Sequence, residues 1–181
     1  MSTTTKPDEL TGDYVIDTTH TRVGFVARHT MATRVRGQFE DFEGGARLDG
    51  GDPSKSGARL TIQAKSVQTH NPQRDDLLCG KFLDADNHPA ITFTSTNVKQ
   101  VDETHFKVTD DLAVRGVTQP VTFDVELIGA ASDPQGDFRV RFKGSATIKR
   151  EDWGVNWNPV TTALVSSKVM LEFDVTVVRR L

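Results

Sequence analysis

The chain has 181 residues, 26% of them charged and 36% hydrophobic, with a net charge of −3. That balance is ordinary for one soluble globular domain, and with no basic tract or acidic tail it gives no sign of a nucleic-acid partner. The single cysteine, Cys79, excludes an internal disulfide and a cysteine-based zinc site. No apolar run is long enough for a signal peptide or a membrane span, so the expectation is a cytoplasmic protein without stable membrane insertion.

Residues 1–11 are polar and read as a flexible N-terminal segment ahead of one domain over 12–181. Strand-like segments then follow one another. Tyr14–Asp17 starts the series. Arg22–Ala27 alternates, with Val23, Phe25 and Ala27 on one side. Val35–Leu48 is interrupted by Gly37, Gly44 and Gly45, which suggest bends or bulges. Asp49–Ser54 is a loop, and Ala58–Val67 alternates again, with Leu60, Ile62 and Ala64 on one face. Pro72 followed by Gln-Arg-Asp-Asp-Leu-Leu is a helix start, and Gly80 is the expected stop. Strands resume over Ala90–Val98, Phe106–Val114, Val117–Ile128 and Phe138–Ile148. A short helical turn is expected near Arg150–Gly154, a polar connection over 155–168, and a last strand over Val169–Val178.

The segment Phe138–Lys149 shows the pattern most plainly. Phe138, Val140, Phe142, Ala146 and Ile148 share one face, and Arg139, Arg141, Lys143, Ser145, Thr147 and Lys149 the other. Side chains alternate across a strand, so this is a sheet with one dry and one wet face. A parallel sheet covered by helices on both sides would not read this way. About eight strands joined mostly by short connections favour antiparallel order. Periodicity leaves two architectures open: a two-sheet sandwich with a filled core, or one sheet closed into a barrel that can hold a ligand.

The chain offers little catalytic chemistry. His20, His29, His70, His88 and His105 form no close metal-binding pair, and no nucleophile elbow, phosphate loop or dinucleotide fingerprint occurs. No catalytic residue, metal ligand or cofactor is assigned. Asp17 and His20 are placed to hydrogen-bond across a turn, and His88 reads as a turn residue before Pro89. Asp75 and Asp76 suit a helix N-terminus, and Asp110 and Asp111 an outer strand face or turn. Cys79, beside Leu77 and Leu78, reads as a small buried hydrophobe. Trp153 and Trp157 flank Gly154, either capping one end of the sheet or lining an entrance. His29 follows a strand carrying Phe25, either at a barrel mouth facing a ligand head group or at a solvated strand end.

Four segments in order resemble the YceI-like family of polyisoprenoid-binding proteins. They are Tyr14-Val-Ile-Asp17-Thr-Thr-His20-Thr-Arg-Val23-Gly-Phe25, continuing to Phe39; Phe82-Leu-Asp84-Ala-Asp-Asn-His88-Pro89 through Thr96; Asp111-Leu112-Ala-Val114-Arg115-Gly116-Val117-Thr118-Gln-Pro120-Val121; and Ile148-Lys-Arg150-Glu-Asp152-Trp153-Gly154. The resemblance spans about residues 13–178. It implies an all-β fold, a single antiparallel eight-stranded lipocalin-like barrel with one or two short helices, which holds a long isoprenoid or other lipid tail without catalysis. Family members often carry a His ahead of the leucine of the short helix, where this chain has Asp75-Asp76-Leu77-Leu78. Many members are secreted.

On this reading the expected ligand-binding residues are Phe25, His29, Leu60, Ile62, Ile91, Phe93, Leu112, Val114, Phe123, Phe142 and Phe173. Each buried methylene of a lipid contributes about 0.8 kcal/mol, so such a wall needs shape and dryness rather than charge. Arg115 reads as fixing a tight turn rather than gripping a diphosphate. Two alternatives stand beside lipid binding: a structural or interaction module with a filled core, and an enzyme acting on a hydrophobic small molecule inside the barrel. Val26, Val67, Ile128 and Val178, read as outward, leave room for a homodimer face.

Overall fold

The computed structural model describes residues 7–29, 34–155 and 165–180. Its strands are β1 (Gly12–Ile16), β2 (Arg22–His29), β3 (Arg34–Phe39), β4 (Phe42–Leu48), β5 (Gly57–Gln63), β6 (Val67–Gln68), β7 (Ala90–Gln100), β8 (His105–Val114), β9 (Val117–Ser132), β10 (Phe138–Lys149) and β11 (Val165–Arg179). Helix α1 spans Pro72–Leu77.

Eight of these strands close a ring in the order β1-β4-β5-β7-β8-β9-β10-β11, with β11 pairing back to β1. Every pairing is antiparallel. The three remaining strands extend the same sheet from β11 through β2 and β3 to β6. Each joins a ring strand in the chain across a short break: β1 into β2 across a 3-10 turn at Thr18–His20, β3 into β4 across Glu40–Asp41, and β5 into β6 across a 3-10 turn at Ala64–Ser66. The chain therefore makes eight passes, three of them bent. Closure leaves the ring strands without a free edge and settles the choice between sandwich and barrel.

Beyond β6 the ladder stops, and the Ala64 N–H instead donates to the Pro89 carbonyl at 2.8 Å. Pro72 lies in the first turn of α1, as the sequence pattern expects, and the structure adds a cap, Asn71 accepting from the Arg74 N–H at 3.1 Å. Gly80 does not stop the helix. The chain loosens into a π-helical turn over Leu78–Phe82, which carries the buried Phe82. Residues 7–10, inside the stretch expected to be loose, form a 3-10 turn whose Leu10 packs against the cluster of Tyr14, Val140 and Val177.

Two apolar clusters fill the barrel unequally. The larger, with Val23, Ile62, Ala64, Ile91, Leu112, Val114 and Trp153, is a solid core at the end nearest the β8–β9 turn. The smaller gathers Tyr14, Ala130, Val140 and Val177 toward the other end. Trp153 is 3% exposed and donates its indole N–H to the Leu112 carbonyl at 2.9 Å, so it caps the solid end. Trp157 and much of the expected polar connection lie outside the described residues.

The second, third and fourth motif segments meet at that capped end. Arg115 and Gly116 form a two-residue turn between Val114 and Val117, both with positive φ (55° and 78°). This is the primed geometry that matches strand twist, and it favours glycine at the second position. Arg115 adopts it despite its Cβ, and its guanidinium donates to the Gly154 carbonyl at 2.5 Å. The His88 ring lies over Gly116, where a Cβ would come within 2.9 Å of it. Arg115 thus secures a turn, and His88 packs on it.

At the other end Asp17 accepts from Arg139 and from the Thr19 N–H at 3.0 Å, and lies 2.7 Å from His20 Nδ1. Arg139 Nε also donates to Asp133 at 2.7 Å. One guanidinium thereby ties the bend between β1 and β2 to the β9–β10 hairpin. Burial works to raise the Asp17 carboxyl, but the bonds from Arg139, His20 and Thr19 outweigh it and hold the group at about 2. Arg141 makes a two-point ion pair with Asp174, at 2.9 and 2.7 Å. On the outer face of β10, Arg139 and Arg141 are thus ion-paired.

Val26 and Val67, expected outward on a partner face, are buried at 7% and 6% exposure. Val26 is flanked in register by Met170 and Arg36, and β6, which carries Val67, packs beside α1. Ile128 is 41% exposed because a register shift between β9 and β10 leaves it unpaired.

Candidate functional site

Between the two clusters the barrel is hollow. A cavity of about 750 Å³ lies inside it, rimmed by the β4–β5 connection, the β7–β8 turn and residues 128–130. Its wall is built from the inward row of each strand. Ile16 comes from β1, Leu60 from β5, Phe93 and Val98 from β7, Phe106 and Val108 from β8, and Val125 and Leu127 from β9; Phe142 on β10 and Val175 on β11 complete it. Gly144 matters here for what it lacks. It sits on the inward row between Val125 and Phe173, both its register partners, and places no side chain in the space.

Three phenylalanines from three strands stack where the hollow meets the solid core. The Phe93 ring lies 5.1 Å from Phe173 edge-on and 5.8 Å from Phe123, and Phe123 lies 5.0 Å from Phe173. These are favourable aromatic spacings, and they make a rigid floor.

The expected ligand-binding residues divide along this boundary. Leu60, Phe93, Phe123, Phe142 and Phe173 line the cavity. Ile62, Ile91, Leu112 and Val114 belong to the solid core beneath it, where Trp153 and neighbouring side chains fill the interior. Phe25 packs over Gly37 and beside Phe39, at a ring distance of 5.7 Å, away from the cavity wall. His29 ends β2 opposite Val165, whereas the cavity takes its β11 wall from Phe173, Val175 and Val177. The side chain of His29 lies outside the described residues.

One residue overturns its sequence-level reading. Asp110 is not on an outer face or in a turn: it lines the cavity, on the same row as Phe106, Val108 and Leu112. Asp111 takes the outer, exposed position. Burial, with a smaller contribution from the Asp111 charge, pushes the Asp110 carboxyl up to about 7. The strict alternation of β8 is the available signal, and the acidic doublet masks it. Ser95, opposite Asp110 on β7, also lines the cavity, although it is not among the expected ligand-binding residues.

Among the described residues, no group of three or more His, Cys, Asp or Glu side chains is placed to hold a metal ion. No helix among them is long and apolar enough to cross a membrane. Cys79 is partly buried against the core, and burial pushes its thiol pKa up, away from a reactive thiolate.

Residues 14–177 match the YceI-like domain. A UPF0312 protein of Pseudomonas aeruginosa is 38% identical over 149 residues, which cover 81% of this chain and 78% of that one. A UPF0312 protein of Serratia proteamaculans is 38% identical over 149 residues, covering 81% and 77%. Among solved structures, the Campylobacter jejuni YCEI protein superposes with a TM-score of 0.75 at 26% identity, over 85% of this chain and 90% of that one. Burkholderia cenocepacia BcnA gives 0.81 at 23% identity, over 89% and 98%. A polyisoprenoid binding domain from Saccharophagus degradans gives 0.75 at 18%, over 92% and 98%. The closed barrel, the ordered motif segments and these matches agree: the chain belongs to the YceI-like family.

Proposed function

We propose that this protein binds a long apolar lipid, a polyisoprenoid chain, in the hollow half of its barrel, and carries, stores or senses it without chemical change in the cytoplasm. The observation that supports this reading is the cavity. At about 750 Å³ it is in the range of small-molecule sites, roughly 300–1,000 Å³. Its wall is mainly aliphatic and aromatic around the closed ring. An apolar chain entering it leaves water at about 25 cal/mol for each Å² removed from contact, and needs no charged partner. The fold shared with the polyisoprenoid binding domain of Saccharophagus degradans lends support at the level of architecture.

The test is solvent extraction of the purified protein followed by mass spectrometry, together with uptake of an added polyprenyl chain by the stripped protein. Co-purifying lipid, or saturable uptake at one chain per barrel, is the expected result. A protein that is lipid-free and takes up nothing overturns the reading.

A further inference from the structure

We propose that Asp110 and Ser95 form a polar subsite in the cavity wall that hydrogen-bonds a hydroxyl head group, alcohol or phenol, of a ligand whose apolar part fills the surrounding space. This rests on the cavity being a lipid site and adds which head group that site selects.

The geometry comes from register. Ser95 on β7 and Asp110 on β8 are directly paired, so their side chains project from the same face, and both line the cavity. Val108 and Leu112, two residues away on either side of Asp110, are apolar. On the other flank of Asp110, β9 offers Val121. Asp110 is thus a polar group among apolar neighbours on its own strand and on β9, with Ser95 beside it on β7.

Neither group is used up by the protein. Among the described residues, the Asp110 carboxyl makes no hydrogen bond or ion pair, its backbone alone being engaged in the ladders to β7 and β9. Ser95 Oγ accepts from the Ala58 N–H at 2.7 Å, which leaves its own proton free to donate. A carboxyl drawn out of bulk water without a partner is costly, and such groups are rare unless something satisfies them. Water can do so in the empty protein, and a ligand hydroxyl can do so in the filled one.

The charge balance favours a neutral head. Among the described residues, the other ionisable ones lining the cavity are Asp49 and Glu103 at the rim and Arg59 on β5. Arg59 is exposed. Burial holds the Asp110 carboxyl at about 7, so near neutral pH much of it is protonated. A protonated carboxyl donates one hydrogen bond and accepts another, and a hydroxyl does the same, so the two satisfy each other reciprocally.

The experiment compares farnesol with farnesene, the same isoprenoid skeleton without the hydroxyl, by competition against a fluorescent apolar probe. It uses the wild type, Asp110→Asn and Asp110→Leu, with circular dichroism confirming the fold of each. Wild type is expected to prefer farnesol by roughly three- to tenfold, the worth of one net hydrogen bond. Asp110→Asn keeps most of that preference. Asp110→Leu abolishes it while holding or improving affinity for farnesene. An unchanged preference in Asp110→Leu overturns the subsite and leaves the lipid cavity standing. Failure of the wild type to bind either probe overturns the cavity reading and the subsite with it.

Discussion

Asp110 and Asp111 are adjacent on β8 and lie on opposite sides of the barrel wall, Asp110 lining the cavity and Asp111 exposed outside. A one-residue step on a strand reverses the environment of a side chain. The same chemical group therefore serves in two settings, and only one of them bears on a ligand.

That placement sets a pH dependence of stability. The Asp110 carboxyl lies at about 7 in the folded protein against 3.8 unperturbed. Between those values the native state holds more protons than the unfolded one, so stability falls as pH rises through the interval. The contribution is fully present below about 3.8 and lost above about 7. Urea titrations of wild type and Asp110→Asn across this range check it. The difference between the two proteins should grow in favour of Asp110→Asn as pH rises toward 7 and level off above it. A pH-independent difference would remove the buried-acid assignment.

Asp17 gives the opposite sign. Its carboxyl is lowered from 3.8 to about 2, so the stability it confers is present above 3.8 and is lost as pH falls toward 2. In Arg139→Met this acid-side contribution shrinks, because the variant loses the guanidinium that holds the Asp17 carboxyl down, and its stability changes less than that of wild type as pH falls from 3.8 toward 2. Acid titrations followed by tryptophan fluorescence distinguish the variant from wild type.

Hollow and solid halves should answer core mutations differently. Leu112, 1% exposed in the solid core, should cost about 2–5 kcal/mol as Leu112→Ala. Trp153→Ala, which removes the cap, should cost about 3–5 kcal/mol. Val108→Trp projects into the cavity and should cost less than the roughly 1–3 kcal/mol typical of overpacking a filled core. Equal penalties at Leu112 and Val108 in denaturant unfolding would mean that the interior is uniformly packed.

Much of the fold is legible in the order of residues. Alternation on β10 identifies the dry row that lines the barrel, and the Val114-Arg115-Gly116-Val117 run identifies a turn. The bends are less legible. Gly44 and Gly45 suggest the break in a long strand, but the chain breaks at Glu40–Asp41, because the ladder partners of β3 and β4 lie on different strands. The partition of the interior is not legible at all. Leu112 and Phe142 both sit on inward rows, and what separates the filled half from the hollow one is long-range, above all the seating of Trp153 on the Leu112 carbonyl. Asp110 is readable by parity alone, and pairing it by sequence with Asp111 hides it.

The most direct measurement is native mass spectrometry of the stripped protein incubated with a polyprenyl alcohol, with Val108→Trp as the filled-cavity control. The expected result is a single-lipid adduct on the wild type that is lost or strongly reduced in the folded variant. No adduct on the wild type, or an undiminished adduct when the cavity is filled, would contradict the account.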